Sequence, residues 1–274
     1  MRGTSTAIFI PWRELRLAAR VFRPADHGVR PRAGSSAVLL IHGWSGYQDA
    51  NDVVLGAALA EAGLWAMTFD LAGHGLSEGS PERYTLADFL DQACAAHDHL
   101  HAEVSGPYGS LAHRPVSVCG TSLGAYLGVL LSAERAVNEL SLRVPAHYPD
   151  AMFSGIPVAE YVRAGQAWGW RSLALAPDTT RALRALQSFR GHLQIIEAAR
   201  DEVIPRQTIV NYLQAAVRCA SVQHVVLPEA THVIYEHRAS RRDALRRVRA
   251  WIAERPGADQ NPYSSTASSS QDLR

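Results

Sequence analysis

The amino-acid sequence predicts an α/β fold in which a central, mostly parallel β-sheet is covered by helices on both faces. Short apolar runs of strand length alternate with longer segments whose apolar residues recur at helical spacing. Some of the runs, such as residues 37–41 (AVLLI), are apolar throughout, which is typical of a strand buried on both faces. Hydrophobic residues make up 47% of the 274 residues, enough to bury the core of one large domain.

The individual elements follow from these patterns. The predicted strands cover residues 7–10, 15–21, 37–41, 65–69, 116–119, 140–144, 193–197 and 222–227. The predicted helices cover residues 52–62, 85–101, 123–136, 179–189, 206–216 and 238–254. The first two strands flank a turn at residues 11–14, so we expect them to form a hairpin. Thr85 and Asp88 have the spacing of an N-terminal capping box.

One segment, residues 145–190, interrupts the alternation of strands and helices. It contains several aromatic residues ahead of its one predicted helix and is too short for an independent domain, which predicts a cap-like insertion that covers a site. We therefore expect residues 1–256 to form one domain that carries this insertion. Residues 257–274 are rich in serine and nearly lack apolar side chains, which predicts a disordered polar tail.

Composition excludes several classes of partner. The net charge of +1 gives no electrostatic reason to expect binding to nucleic acid or to an anionic membrane. The beginning of the sequence lacks the apolar run of a signal peptide, and no stretch approaches the roughly 20 apolar residues that span a bilayer. Three cysteines are too few for a disulfide framework. These observations predict a cytoplasmic protein.

Residues 120–124 (GTSLG) match the G-x-S-x-G pattern of a nucleophile elbow. The motif lies between a predicted strand and a predicted helix, where a sharp turn would strain the backbone of Ser122 and lift its hydroxyl clear of the sheet. Gly120 and Gly124 would remove the Cβ atoms that otherwise clash across such a turn. We therefore interpret Ser122 as a catalytic nucleophile.

A serine hydroxyl needs a base near neutral pH, and the base needs an orienting acid. His232 is the expected base, because it follows the last predicted strand, where open α/β sheets gather their catalytic groups. Asp201, after the preceding strand, is the expected acid. Glu202 and Glu197 remain alternatives for the acid.

The negative charge that develops on the carbonyl oxygen requires two N–H donors. The amide of Leu123, directly after the nucleophile, is one expected donor. The amide of Trp44 is the other, because Gly43 lets the loop after residues 37–41 turn back over Ser122.

Four elements occur along the chain in a recognisable order: His42-Gly43-Trp44, a D-x-x-G-H-G-x-S segment at residues 70–77, the motif at residues 120–124, and the Asp201 and His232 pair. Together they resemble the α/β-hydrolase superfamily over roughly residues 5–255. The closest resemblance is to bacterial esterases of the serine-aminopeptidase and monoglyceride-lipase-like branch. It implies the α/β-hydrolase fold, and a mainly architectural role for Asp70, His74 and Ser77.

These residues predict acyl transfer to water through an acyl-enzyme, with a small-molecule ester as the substrate and no cofactor. A carboxylesterase acting on small or medium esters is the first expectation. Thioesterase, amidase or peptidase, and C–C bond hydrolase activities use the same residues and stay open, as does a binding protein without turnover.

Two further groups of side chains carry alternatives. Tyr161, Trp168 and Trp170 either line a substrate pocket or anchor the insertion to the core. His97 and His101 share one helix face, which allows a metal site, but a solvated face with no metal is the expectation.

Overall fold

The computed structural model describes residues 3–25, 37–44, 46–47, 50–105, 115–165 and 167–253. The strands are β1 (Thr4–Trp12), β2 (Leu15–Arg23), β3 (Ala37–Ile41), β4 (Trp65–Phe69), β5 (Val116–Thr121), β6 (Val137–Arg143), β7 (His192–Ala198) and β8 (Ser221–Leu227). The helices are α1 (Ala50–Glu61), α2 (Leu86–Ser105), α3 (Leu123–Glu134), α4 (Val158–Arg163), α5 (Ala167–Arg171), α6 (Arg181–Ser188), α7 (Arg206–Ala215) and α8 (Arg238–Ala253). Two 3₁₀ turns lie at Pro81–Arg83 and Asp150–Met152. The tail predicted for residues 257–274 lies outside the described residues.

All eight strands form one sheet in the order β1-β2-β4-β3-β5-β6-β7-β8. β1 and β2 form the expected hairpin, and β2 is antiparallel to β4, whereas the pairs from β4 to β8 are parallel. β3 lies between β4 and β5, so the strand order reverses direction there. Loops that leave the sheet at such a switch point diverge and open a crevice at the carboxyl ends of the strands.

The sheet separates two hydrophobic layers. In β3, Leu39 and Ile41 face the layer that contains α2 and α3, whereas Val38 and Leu40 face the layer that contains α1 and α8. Alternate side chains of one strand therefore enter different layers, and both layers are apolar. This explains why the sequence of β3 is apolar throughout.

Most predicted elements are confirmed, with shifted ends. β3 and β4 have the predicted bounds, and the capping box forms, since Thr85 N–H donates to Asp88 Oδ2 (3.0 Å) and Asp88 N–H donates to Thr85 Oγ1 (3.2 Å). β6 begins three residues before its predicted start, at Val137, because pairing with β5 buries Glu139, whose carboxylate accepts a hydrogen bond from Ser117. No helix in the described part of the chain has the length and apolar character needed to cross a membrane.

The insertion between β6 and β7 contains more helix than its sequence predicts. The predicted helix at residues 179–189 is present as α6, which begins after Thr180, whose Oγ1 accepts a hydrogen bond from Leu183 N–H (3.3 Å). The helices α4 and α5 were not predicted. They have only six and five residues, too few for a helical period to show in the sequence.

Candidate active site

Ser122 occupies a strained turn between β5 and α3. Its backbone angles are φ 51° and ψ −111°, a region that residues other than glycine rarely adopt. A Cβ on Gly120 would lie 2.3 Å from the carbonyl oxygen of Gly124, and a Cβ on Gly124 would lie 2.2 Å from that of Ile41. Only glycine fits at either position, and the predicted strained turn is confirmed.

The structure brings Ser122, His232 and Asp201 together from three loops at the carboxyl edge of the sheet. His232 Nε2 lies 3.2 Å from Ser122 Oγ, and His232 Nδ1 lies 3.0 Å from Asp201 Oδ2. Because the carboxylate accepts a hydrogen bond from Nδ1–H, Nε2 is left unprotonated toward the serine. The arrangement allows the imidazole to take the proton of the Ser122 hydroxyl.

The loop after β7 fixes the carboxylate of Asp201. Oδ1 accepts hydrogen bonds from the N–H groups of Val203 (2.9 Å) and Ile204 (2.7 Å), which leaves Oδ2 for His232. The Asp201 side chain is only 6% exposed, so water competes little for these bonds. The acid is held in one orientation by the backbone of its own loop.

The two alternative acids have other partners. Glu202 accepts a hydrogen bond from the backbone N–H of His232 (3.2 Å), not from its ring. Glu197 accepts one from His224 Nε2 (2.7 Å), within the β7–β8 pair. Of the three acids that the sequence allows, Asp201 is the one whose carboxylate bonds the His232 ring.

The loop after β3 packs against the serine. A Cβ on Gly43 would lie 3.3 Å from Ser122 Cβ, so a side chain there would press on the nucleophile. Leu123 is the first residue of α3, and the amides of a first helical turn have no partner within the helix. The loop of Trp44 and the amide of Leu123 therefore flank Ser122, while their role as oxyanion donors stays a prediction.

Two histidines, for which the sequence predicted no particular contact, hold this loop in place. His74 Nε2 donates a hydrogen bond to the carbonyl of Trp44. His42 Nε2 accepts one from Leu71 N–H (3.0 Å), so its Nδ1 carries the proton and donates to the carbonyl of Gly43 (2.7 Å). The D-x-x-G-H-G-x-S segment was the signal for His74, although the motif does not show that its ring supports the Trp44 backbone.

A cavity of about 570 Å³ opens over Ser122 and His232. Large apolar side chains exposed on the protein surface gather around it: Tyr47, Val162, Trp168, Val203 and Val233. Exposed apolar surface in one patch is typical of a ligand-binding site. The cavity has the size and the lining expected for a small organic molecule.

The three aromatic residues predicted for the pocket are not together. Trp168 lines the cavity, whereas Tyr161 and Trp170 do not. Tyr161 is buried in the core beside Tyr148, with ring centroids 6.0 Å apart, and Trp170 packs on His147 at 5.2 Å. Tyr161 and Trp170 instead fit the second alternative that the sequence allowed, in which these side chains anchor the insertion to the core.

Two charged residues of the cavity were missed by sequence reasoning. Asp52, on α1, forms an ion pair of 2.9 Å with the fully buried Arg143. Arg171, the last residue of α5, is also buried and reaches the cavity from the insertion. No motif marks either position, because both depend on how distant segments fold together.

The histidine pair on α2 does not have the expected environment. His97 is buried rather than solvated, its Nδ1 lies 3.1 Å from Asp98 Oδ1, and its ring stacks on His101. Burial lowers the pKa of His97. Within the described ranges, no three His, Cys, Asp or Glu side chains form a group that could hold a metal ion.

Comparisons with known proteins agree with this architecture. Residues 38–248 match the Alpha/beta hydrolase family. Est1E from Butyrivibrio proteoclasticus, solved with ferulic acid bound, has a TM-score of 0.62 at 20% identity, covering 90% of this chain and 97% of that one. A dienelactone hydrolase from Anabaena variabilis has a TM-score of 0.62 at 16% identity, covering 93% and 99%.

A vertebrate protein has a similar structure. Alpha/beta hydrolase domain-containing protein 10 from mouse has a TM-score of 0.60 at 17% identity, covering 91% of this chain and 99% of that one. A search of curated protein sequences gives no match. At such identities the structural likeness establishes the fold and leaves the substrate open.

Proposed function

Because the chain belongs to the alpha/beta hydrolase family, we propose that it is a serine carboxylesterase that cleaves small or medium carboxylic esters through an acyl-enzyme. The observation that carries the proposal is the continuous hydrogen-bonded chain from Asp201 through His232 to Ser122, with 3.0 Å and 3.2 Å between the bonded atoms. Family membership supports hydrolase activity. The serine mechanism and the ester substrate are inferred from the arrangement of these side chains.

In the first half of the reaction, Ser122 Oγ attacks the ester carbonyl carbon while His232 Nε2 takes the hydroxyl proton. Asp201 stabilises the imidazolium that forms. The tetrahedral intermediate collapses when His232 returns the proton to the departing alkoxide oxygen, which releases the alcohol. Ser122 is left acylated.

In the second half, water replaces the alcohol. A water molecule attacks the acyl carbon while His232 removes one of its protons. His232 then returns a proton to Ser122 Oγ as the carboxylic acid leaves. In both halves, the amides of Leu123 and Trp44 donate hydrogen bonds to the carbonyl oxygen as it becomes negative. Such a donor contributes about 3–4 kcal/mol to catalysis in enzymes of this chemistry.

The cavity supports an ester of limited size. Its volume of about 570 Å³ is in the range of pockets that enclose small molecules. Its rim carries apolar side chains, among them Trp168 and Val233, which suit the hydrocarbon part of an ester. Ser122 and His232 line the same cavity, so an ester bound there would meet the nucleophile.

We also propose a cytoplasmic location for the enzyme. All three cysteines are free thiols, and Cys119 is buried. Burial raises the pKa of Cys94 and of Cys219 to about 11, so neither has the reactive thiolate of a cysteine nucleophile. Free cysteines suit a reducing compartment.

Labelling with a fluorophosphonate tests the proposal, because this reagent modifies only an activated serine. We expect one adduct, located at Ser122 by mass spectrometry, and no adduct in Ser122→Ala. A panel of matched esters, thioesters and amides, compared by kcat/KM, then tests the substrate class. The proposal is wrong if Ser122 is not modified, or if Ser122→Ala keeps the turnover of the parent.

A further inference from the structure

Arg171 is a buried cation in the wall of the catalytic cavity. The residue is only 6% exposed, yet it lines the same cavity as Ser122. Its Nε donates to the carbonyl of His147 (3.2 Å), and one terminal nitrogen lies 3.5 Å from the carbonyl of Val203. Its guanidinium carbon lies 5.1 Å from the ring centroid of Tyr148. Within the described part of the chain, no carboxylate forms an ion pair with it.

The second buried arginine of this region is different. Arg143 is fully buried and has a carboxylate partner, Asp52, at 2.9 Å. Removing a charge from water is costly unless an opposite charge compensates it. Arg143 is compensated by a carboxylate, whereas Arg171 has only neutral partners: two backbone carbonyls and the ring and hydroxyl of Tyr148.

The ring-bearing side chains around Arg171 in the described part of the chain are uncharged. Burial raises the pKa of the Tyr148 and Tyr161 hydroxyls, which keeps both neutral. Burial also lowers the pKa of His147 to about 4, so its ring is neutral at pH 7. Glu202 lines the same cavity, but it is exposed, its carboxylate accepts the N–H of His232, and it forms no ion pair with Arg171.

We infer that Arg171 binds a carboxylate on the substrate, so that the natural ester carries a negative charge away from the bond that is cleaved. This inference rests on the proposed function. A guanidinium presents donors in a planar fork that matches a carboxylate, and a buried cation without a counter-ion gains most from such a partner. The substrate class is an ester that keeps a free carboxylate, either a monoester of a dicarboxylic acid or a hydroxy acid acylated on its hydroxyl group.

The first test compares substrates that differ only in charge. The monoethyl esters of succinic, glutaric and adipic acids are each paired with the corresponding carboxamide, which has nearly the same shape and no charge. Butanoyl esters of glycolic acid and of glycolamide place the same difference on the alcohol side. We expect kcat/KM of the parent to favour the carboxylate in at least one pair by about 10- to 100-fold. The inference fails if no pair shows a preference.

Variants of Arg171 test whether this residue causes the preference for the carboxylate substrates. Arg171→Gln should lower kcat/KM for the carboxylate member of a pair much more than for its carboxamide, so that the preference is lost, and Arg171→Lys should keep part of the preference. Arg163→Gln, an exposed arginine of the same insertion outside the cavity lining, is the matched control and should keep all of it. If Arg171→Gln lowers both members of each pair equally, Arg171 only braces the insertion and the inference is wrong.

Binding provides a measurement that needs no turnover. Titration of Ser122→Ala with glutarate and with glutaramide, the uncharged diamide, monitored by calorimetry, should show tighter binding of glutarate. The double variant with Arg171→Lys covers the case in which Arg171→Gln does not fold, and it should weaken glutarate binding severalfold.

The two proposals fail in different ways. A parent enzyme that is labelled at Ser122 and cleaves neutral esters without a carboxylate preference overturns the role of Arg171 alone. A parent that is neither labelled nor active on any ester overturns the proposed esterase function. Glutarate binding then still tests whether Arg171 binds a carboxylate.

Discussion

The nucleophile turn and the insertion between β6 and β7 face the same cavity, but they are built differently. In the turn, a Cβ added to Gly124 would lie 2.2 Å from a backbone oxygen, whereas one added to Gly169 of the insertion would meet nothing within 4 Å. Backbone atoms of adjacent parallel strands surround the turn, and these atoms cannot move independently. The sheet edge therefore sets the positions of the reacting groups, while the insertion supplies a wall that tolerates change.

The largest effect is expected at the acid of the sheet edge. Asp201→Asn removes the charge that selects the His232 tautomer, so kcat should fall by about 10⁴-fold. Glu202→Gln, its neighbour in the sequence, is the matched control and should change kcat less than tenfold. Steady-state rates on a neutral ester measure both. A mild effect of Asp201→Asn with a severe effect of Glu202→Gln would exchange their roles.

Matched glycine substitutions compare the two regions directly. Gly124→Ala should lower the free energy of unfolding by about 3 kcal/mol or more, because a backbone oxygen occupies the space of the new methyl group. Gly169→Ala, in α5, should raise it by about 0.5–1 kcal/mol, as alanine favours a helix. Urea denaturation measures both values. Equal effects would show that the turn is no more constrained than the insertion.

The stability of the protein should fall in acid because of His147, which lies near the start of the insertion. His147 is buried, its Nε2 lies 2.8 Å from Thr180 Oγ1, and burial lowers its pKa from 6.5 to about 4. Between these values the unfolded chain binds more protons than the folded protein. His147 therefore leaves the free energy of unfolding unchanged above pH 6.5 and lowers it as the pH falls toward 4. The decline is at most about 1.4 kcal/mol per pH unit.

Denaturation as a function of pH tests this contribution. His147→Gln should lose less stability than the parent between pH 6.5 and 4.5, because glutamine does not titrate. His237→Gln, at an exposed histidine, is the control and should follow the parent. Identical pH profiles for the parent and His147→Gln would contradict the assignment.

His74 should affect the rate without affecting binding. His74→Phe keeps a ring but removes the donor that holds the carbonyl of Trp44, which loosens the predicted oxyanion loop. We expect kcat to fall by about 10- to 100-fold with KM nearly unchanged, because the lost contact matters most in the transition state. A rise in KM at constant kcat would place His74 in substrate binding instead.

The smallest effect is expected in the wall of the insertion. Trp168→Ala should raise KM for longer acyl chains by about 3- to 10-fold, since Trp168 lines the cavity but is 48% exposed. Trp170→Ala should lower the melting temperature and leave KM unchanged, because Trp170 packs on His147. An unchanged KM in Trp168→Ala would remove that side chain from the pocket.

Prediction from the sequence succeeded where a short stretch contains its own physical reason. β3 is apolar at every position because both of its faces are covered, and residues 120–124 include the glycines that their turn requires. The helices α4 and α5 were missed because they are too short to show a helical period, and they are stabilised by the core onto which they fold.

The sequence was enough to predict the fold family, the strained turn at Ser122 and the order in which serine, acid and histidine follow their strands. Parallel strands bring their carboxyl ends to one edge, so a linear order is enough to predict which loops meet there. The folded structure was needed to show which acid bonds His232, which of the three aromatic residues lines the cavity, and that no carboxylate in the described part of the chain pairs with the buried Arg171. These facts depend on side-chain directions across segments far apart in the chain, and no local pattern records them.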